Sequence, residues 1–297
     1  VKYTDRNKPL VCMQTNSTCY RNTYKMRVKG VLWHSTGANN PNLRRYVQPR
    51  EGDKDYSRLI SLLGRNPNGN DWNHIYVEAG LNCWIGKLAD GSVTTVQTMP
   101  WDYSPWGCYQ GWNGSCNDGW IQFEICEDGL DDRGYFEKVY REACEITAYL
   151  CKLYNINPTG SVRVGSIDVP TILCHKDSAR LGMGSDHGDV LHWFPKFGKD
   201  MAAVRRDVAA LLKNTLQEDE DEMTIEQVKK IVKEENDKVN PTYNTIDDVP
   251  DYWREDIRWL MARGIIKGNA NGKLGLTRGE AKAAVMVKRG MVKAGVV

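Results

Sequence analysis

Apolar positions recur along this chain with two different periods. Residues 28–33 form a short apolar run of β type that ends at His34. Residues 81–88 and 92–98 are two further strand-like runs, and Asp90-Gly91 between them predicts a tight hairpin turn. Residues 120–126 alternate as a strand does, with Glu124 inside the run. Residues 169–174 are a last apolar strand, ending at His175. A helical period governs 136–153, where Phe136, Val139, Tyr140, Ala143, Ile146, Thr147, Leu150 and Leu153 share one stripe. It returns in 200–212, with Met201, Val204, Val208, Leu211 and Leu212 inward. Strands alternating with helices predict an α/β fold, a mixed β-sheet flanked by helices.

The pattern changes after residue 213. Residues 217–222 read Gln-Glu-Asp-Glu-Asp-Glu, a solvated run that cannot bury itself. Three parts are therefore expected: a domain over 1–213, an acidic linker over 214–223, and a small helical module over 224–297. Thr224 and Gln227 read as a capping box for the module's first helix. A second helix over about 253–263 should bury Ile257, Leu260 and Met261 and stop at Gly264. Thr277 and Glu280 form the capping box of a last helix. A module this small is marginal alone, so self-association through residues 224–297 is one way for it to gain burial. Glu218 to Glu222 are encoded by codons beginning GA, so the messenger before Met223 is purine-rich, as a bacterial ribosome-binding site is. A second product starting at Met223 would supply such a partner.

Composition narrows the function classes. Forty Lys and Arg against 38 Asp and Glu leave +2, which excludes a uniformly basic nucleic-acid binder. No stretch approaches the roughly 18 uninterrupted apolar residues of a membrane span. The first residues carry no apolar signal core, so synthesis in the cytoplasm without a signal peptide is expected. Nine cysteines, with no CxxC among them, read as mostly buried thiols in a reducing compartment.

The five histidines carry the candidate chemistry. His34 and His175 each follow an apolar strand, and strand ends on an open α/β sheet are where ligand sites gather. A third cluster, Ser185-Asp-His-Gly-Asp-Val-Leu-His192, holds two histidines and two aspartates. A catalytic zinc takes three protein ligands and keeps a position open. His34, His175 and one residue of the cluster would meet that need, with His187, Asp189 and His192 as alternatives for the third. His74 lies outside this pattern and reads as structural.

These stretches resemble a known family. Val31-Leu-Trp-His-Ser-Thr-Gly37, residues 81–91, Trp120-Ile-Gln-Phe-Glu124, Leu173-Cys-His175 and residues 187–194 are similar to phage endolysins, N-acetylmuramoyl-L-alanine amidases of the type-2 zinc amidase and peptidoglycan-recognition-protein superfamily. The likeness covers nearly all of residues 8–212 and is strongest to enzymes of Clostridium-like phages. It implies a mixed sheet flanked by helices, with Zn2+ in a surface groove. The family's closing motif, Lys-x-Asp/Cys-Pro-Gly-x-x-Phe, aligned on Phe194, implies Asp189 as third ligand beside His34 and His175. His187 then stands where the family has Lys, and Val190-Leu191 replace Pro-Gly, so His187 and His192 stay open as ligands.

The resemblance also implies roles. Glu124 would hold the attacking water and accept its proton, and His187 would stabilise the oxyanion. Asn82 and Trp106 would contact substrate. Trp101, Tyr103, Trp106, Tyr109 and Trp112 crowd one Gly-rich segment, readable as a loop core or as a glycan-stacking wall. Peptidoglycan is the implied partner, with action on the cell wall after release from the host. Residues 249–253, 257–260, 263–268 and 277–280 resemble a single surface-layer-homology-like unit. Such units bind secondary wall polymers, usually as three copies, and a spacer or oligomerisation role is the alternative for one. Two rival functions are a non-catalytic peptidoglycan-recognition module and a zinc amidohydrolase of small amides.

Overall fold

The computed structural model describes the backbone of residues 1–221 and 225–296, and side chains outside 214–228. Two compact units divide it, Val1–Asp219 and Glu220–Val297. The Thr224–Gln227 capping box and Met223 lie outside the described residues.

The strands of the first unit are β1 (Leu10–Val11), β2 (Gly30–Asn39), β3 (Cys83–Lys87), β4 (Val93–Gln97), β5 (Trp120–Glu127), β6 (Ser161–Val164), β7 (Ile167–Pro170) and β8 (Ile172–Cys174). Its helices are α1 (Thr18–Asn22), α2 (Tyr56–Leu63), α3 (Arg133–Leu153), α4 (His175–Arg180) and α5 (Met201–Asp221). Six strands make one mixed sheet in the order β1-β4-β3-β5-β2-β8. β3 and β4 form the antiparallel hairpin expected around Asp90-Gly91, while β5, β2 and β8 run parallel.

The two-residue period of the strands explains where the chemistry lies. Val31 and Trp33 of β2, Ile121, Phe123 and Ile125 of β5, and Cys83 and Ile85 of β3 are buried together with α3 and α5. The alternate residues, His34, Gln122 and Glu124 among them, therefore belong to the opposite face. There Leu43, Leu59, Trp84 and Cys126 build one apolar patch, and Leu32, Cys108, Trp120 and Leu173 another. With both faces covered, β2 begins as a continuous apolar run rather than an alternating one.

Several expectations shift in detail. β2 extends five residues past His34, because its polar end, Ser35 to Asn39, pairs with Ile125 and Glu127 of β5. The apolar run 169–174 is broken at Thr171 into the end of β7 and β8. Residues 214–221 of the acidic stretch continue α5 as helix. All nine cysteines are buried thiols.

The second unit contains α6 (Ile225–Val239), β9 (Thr242–Tyr243), α7 (Asp251–Ala262), β10 (Leu276–Thr277) and α8 (Arg278–Lys293). Its core gathers Tyr243, Val249, Ile257, Leu260, Leu274, Ala281 and Val285. Thr277 and Glu280 make the expected capping box. Met261 corrects the sequence reading: it is exposed, because the buried stripe of α7 is narrow and ends at Leu260.

Candidate metal centre

Strand register builds the centre. On β2 and β5, His34 stands opposite Glu124, one strand spacing away on the same face. On the other side Trp33 pairs with Cys174, so His175, the next residue and the first of α4, comes level with His34. Asp189 arrives from the loop after α4. His34 Nδ1 lies 3.0 Å from His175 Nδ1 and 3.1 Å from Asp189 Oδ2, and His175 Nδ1 lies 3.4 Å from Asp189 Oδ1.

A chain of hydrogen bonds sets the tautomer of His34. The backbone amides of Gly107 and Cys108 donate to one side-chain atom of Asn117, which must therefore be its oxygen Oδ1. That oxygen also accepts from Gln122 Nε2 at 2.9 Å, so the other terminal atom of Gln122 is its carbonyl oxygen. Gln122 Oε1 sits 2.8 Å from His34 Nε2, which must carry the proton. The Nδ1 of His34 thus presents a lone pair to the cluster. His175 is held the same way: Ser185 Oγ donates to the Cys108 carbonyl and accepts from His175 Nε2 at 3.1 Å. Gly107 must lack a side chain here, since a Cβ would collide with Gln122 Oε1.

The two carboxyls of the site shift in opposite directions. Burial opposes ionisation of Asp189, but its neighbours His175 and His34 outweigh it and hold the carboxyl well below its ordinary range. Glu124 behaves oppositely: burial, then the charges of Asp189 and Glu127, push its carboxyl well up. Its Oε2 is buried with no hydrogen-bond partner among the described residues. Two imidazole nitrogens and a carboxylate, all donor atoms within 4.8 Å of one another, form a group that could hold a metal ion. A cavity of about 670 Å³, lined by Glu124, His187, His192, Trp106 and Tyr109 as well as the three donors, leaves room for a fourth position. This donor set fits zinc, and Glu124 lines the same cavity beside it.

The remaining candidates divide. His187 lines the cavity with its ring 4.5 Å from that of His175 and Nδ1 3.1 Å from Ser185 Oγ. His192 lines it too, but its Nε2 bonds Glu127 Oε1 at 2.9 Å rather than joining the donor cluster. That bond, despite partial burial, raises the pKa of His192. Burial opposes ionisation of Glu127, but His192 and the Gly37 amide hold its carboxyl below the ordinary value. Trp106 is half-buried at the cavity wall. Trp101 packs against the main core, and Tyr103 lies against Tyr20 with ring centroids 5.4 Å apart. His74 is elsewhere, bonded to Asp71 at 2.8 Å.

Asn82 is a correction. It is fully buried, donates to the carbonyls of Pro100 and Tyr103, and accepts from the Gln122 amide, so no polar atom remains for substrate. Its role is to hold the hairpin to β5 and to the following loop. The sequence reading missed Gln122, Asn117 and the Glu127–His192 pair. Gln122 had a signal, standing two residues before Glu124 on the same strand face. The others meet only through tertiary folding.

Several solved structures are similar to this chain. The Staphylococcus aureus hydrolase AmiA in complex with its ligand aligns at 16% identity and a TM-score of 0.46, over 70% of this chain and 86% of that one. PlyL aligns at 17% identity and 0.43, over 67% and 96%. A mutant endolysin from Bacillus subtilis aligns at 17% identity and 0.39, over 66% and 97%. No curated protein matches the chain in sequence. Residues 24–189, more than half of the chain and the segment that carries every residue of the donor cluster, match the family model of N-acetylmuramoyl-L-alanine amidase, and the chain belongs to that family.

Proposed function

We propose that this protein is a zinc-dependent endolysin of bacterial peptidoglycan, cutting the amide between N-acetylmuramic acid and the L-alanine of the stem peptide. The convergence of His34 Nδ1, His175 Nδ1 and Asp189 beside the buried, unpartnered Glu124 carries this reading. A zinc ion there would polarise the scissile carbonyl and make water a nucleophile near neutral pH. Glu124 orients that water and takes its proton. His187, on the cavity wall, faces the oxygen on which charge develops, and Trp106 packs against substrate. Gln122 and Ser185 keep both imidazoles in the metal-binding tautomer.

A module that only recognises peptidoglycan has no use for a carboxyl such as Glu124, buried beside the donor cluster on the cavity wall. The second unit serves wall attachment, through a secondary polymer or by self-association. Mass spectrometry of digested sacculi tests the main reading. New L-alanine amino termini on intact glycan strands are expected; new reducing ends without them would overturn it.

A further inference from the structure

The exposed apolar side chains of the first unit are unevenly placed. Val11, Tyr24 and Leu153 are scattered, but Ile75, Tyr76, Tyr109 and Trp112 come from two segments, 75–79 and 106–112. Both segments line the cavity of the metal centre, through Glu78, Ala79, Trp106, Gly107 and Tyr109. They are joined where Gly80 bridges Trp106.

The second segment is held rigidly. Asn113 donates from its amide to the Gly182 carbonyl at 2.7 Å and from Nδ2 to the Leu181 carbonyl at 2.9 Å. The amides of Cys116 and Ser185 donate to the carbonyls of Met183 and Cys108, both at 2.8 Å. The indole of Trp112 lies flat enough on Gly182 that any side chain there would collide with it, yet 78% of Trp112 is exposed. Tyr109 is 77% exposed and has a φ of 61°, a region that bulky residues rarely enter. Backbone strain fixed by a surrounding loop, with an aromatic ring left in solvent, is a pattern of ligand sites.

We propose that Tyr109 and Trp112 form a saccharide-stacking platform beside the metal centre, taking N-acetylated pyranose rings of the glycan strand. This rests on the amidase reading, in which a sugar is joined directly to the group that reacts. A pyranose offers a C–H face that packs on an aromatic ring, and neutral sugars need no cation. The two segments carry Glu78 and no Lys or Arg, which suits a neutral glycan and not the carboxylates of a stem peptide. The loop that presents the platform also supplies the Cys108 carbonyl that holds Ser185 against His175, so sugar contact and metal geometry share one support.

The test uses the full zinc-loaded chain with two probes: a neutral tetrasaccharide of N-acetylglucosamine, and the stem peptide released by digestion. Trp112→Ala and Tyr109→Asn, the latter because asparagine tolerates positive φ, should each weaken tetrasaccharide binding about tenfold by calorimetry. Peptide binding and zinc content should stay unchanged, KM for sacculi should rise, and kcat should hold. Trp112→Phe, which keeps a ring, should retain most of the affinity and guards against a folding defect. The platform is overturned if the variants bind tetrasaccharide as the wild type does, if peptide affinity falls instead, or if the wild type binds no glycan. Failure of the amidase reading looks different, because the wild-type protein would then leave the muramoyl-alanine bond intact.

Discussion

The direction of each imidazole donor atom is set by the residue behind it. His34 offers Nδ1 only because Gln122 holds its Nε2 proton, and His175 only because Ser185 does so. His34→Ala, His175→Ala and Asp189→Ala should each lose zinc, measured by metal analysis of the purified protein. Glu124→Gln should keep zinc and lose on the order of 10²–10⁴ in kcat, the usual cost of removing a general base. Zinc loss on that change would make Glu124 a ligand instead. His192 invites a different expectation. Tied to Glu127, with its amide on the Gly188 carbonyl, it closes the turn that presents Asp189. His192→Ala should weaken zinc affinity about 10- to 100-fold in a chelator competition, as losses behind a metal ligand do. His192→Lys, which still meets Glu127, should recover part of it. A large fall in kcat at saturating zinc would instead place His192 on the substrate. Asn82 shows how a residue can mislead when only its position in a hairpin is known. Its bonds all point into the fold.

At the scale of elements, what could be read from the sequence was what is local. The stripes of α3 and α5, the Asp90-Gly91 hairpin and the apolar starts of β2 and β8 are periodic over several residues, and they set His34 and His175 directly after apolar runs, although β2 itself continues past His34. The polar end of β2 has no such period; it is a strand because β5 pairs with it. Likewise Glu127 and His192, 65 residues apart, signal nothing to each other in sequence. Asp189 needed the family motif, since spacing alone left three candidates. In the second unit the same limit applies to α7 and α8, which are clasped by Asp256. Its carboxylate meets Lys288 Nζ at 2.7 Å and Arg289 Nε at 2.7 Å. Burial opposes its ionisation, but these two bonds outweigh it and lower its pKa. The sign follows: the clasp stabilises the unit above the unfolded aspartate value, near 3.9, and is lost as pH falls through the lower folded value. Asp256→Asn should cost about 1–3 kcal/mol at pH 7, towards the low end because Arg289 faces solvent. Hydrogen exchange of α7 and α8 should speed up at pH 7 in the variant, and the variant should lose less on acidification than the wild type. Equal acid sensitivity in both would show that other groups set it.

The whole molecule joins a well-buried catalytic unit to one that leaves much apolar surface in water. No described helix is long and apolar enough to cross a membrane. On α6, Ile231, Val232 and Val239 are exposed; on α8, Met286, Val287, Met291 and Val292 are. Solvated apolar patches of this kind mark contact surfaces. Charge on α6 favours a second copy of the same helix. Lys229, Lys230 and Lys233 precede Glu234, Glu235 and Asp237, so an antiparallel pair sets basic ends against acidic ones. The full chain at micromolar concentration is therefore expected to sediment at twice its mass or more. Val232→Lys together with Met286→Lys should return it to a monomer. The monomer should still cut a small soluble muramoyl-peptide at the wild-type rate, because the metal centre lies wholly in the first unit. It should clear whole sacculi several-fold more slowly, since two linked catalytic units stay on an insoluble substrate better than one. A wild-type chain that stays monomeric at tens of micromolar would remove this account of the second unit and leave wall-polymer binding as its task.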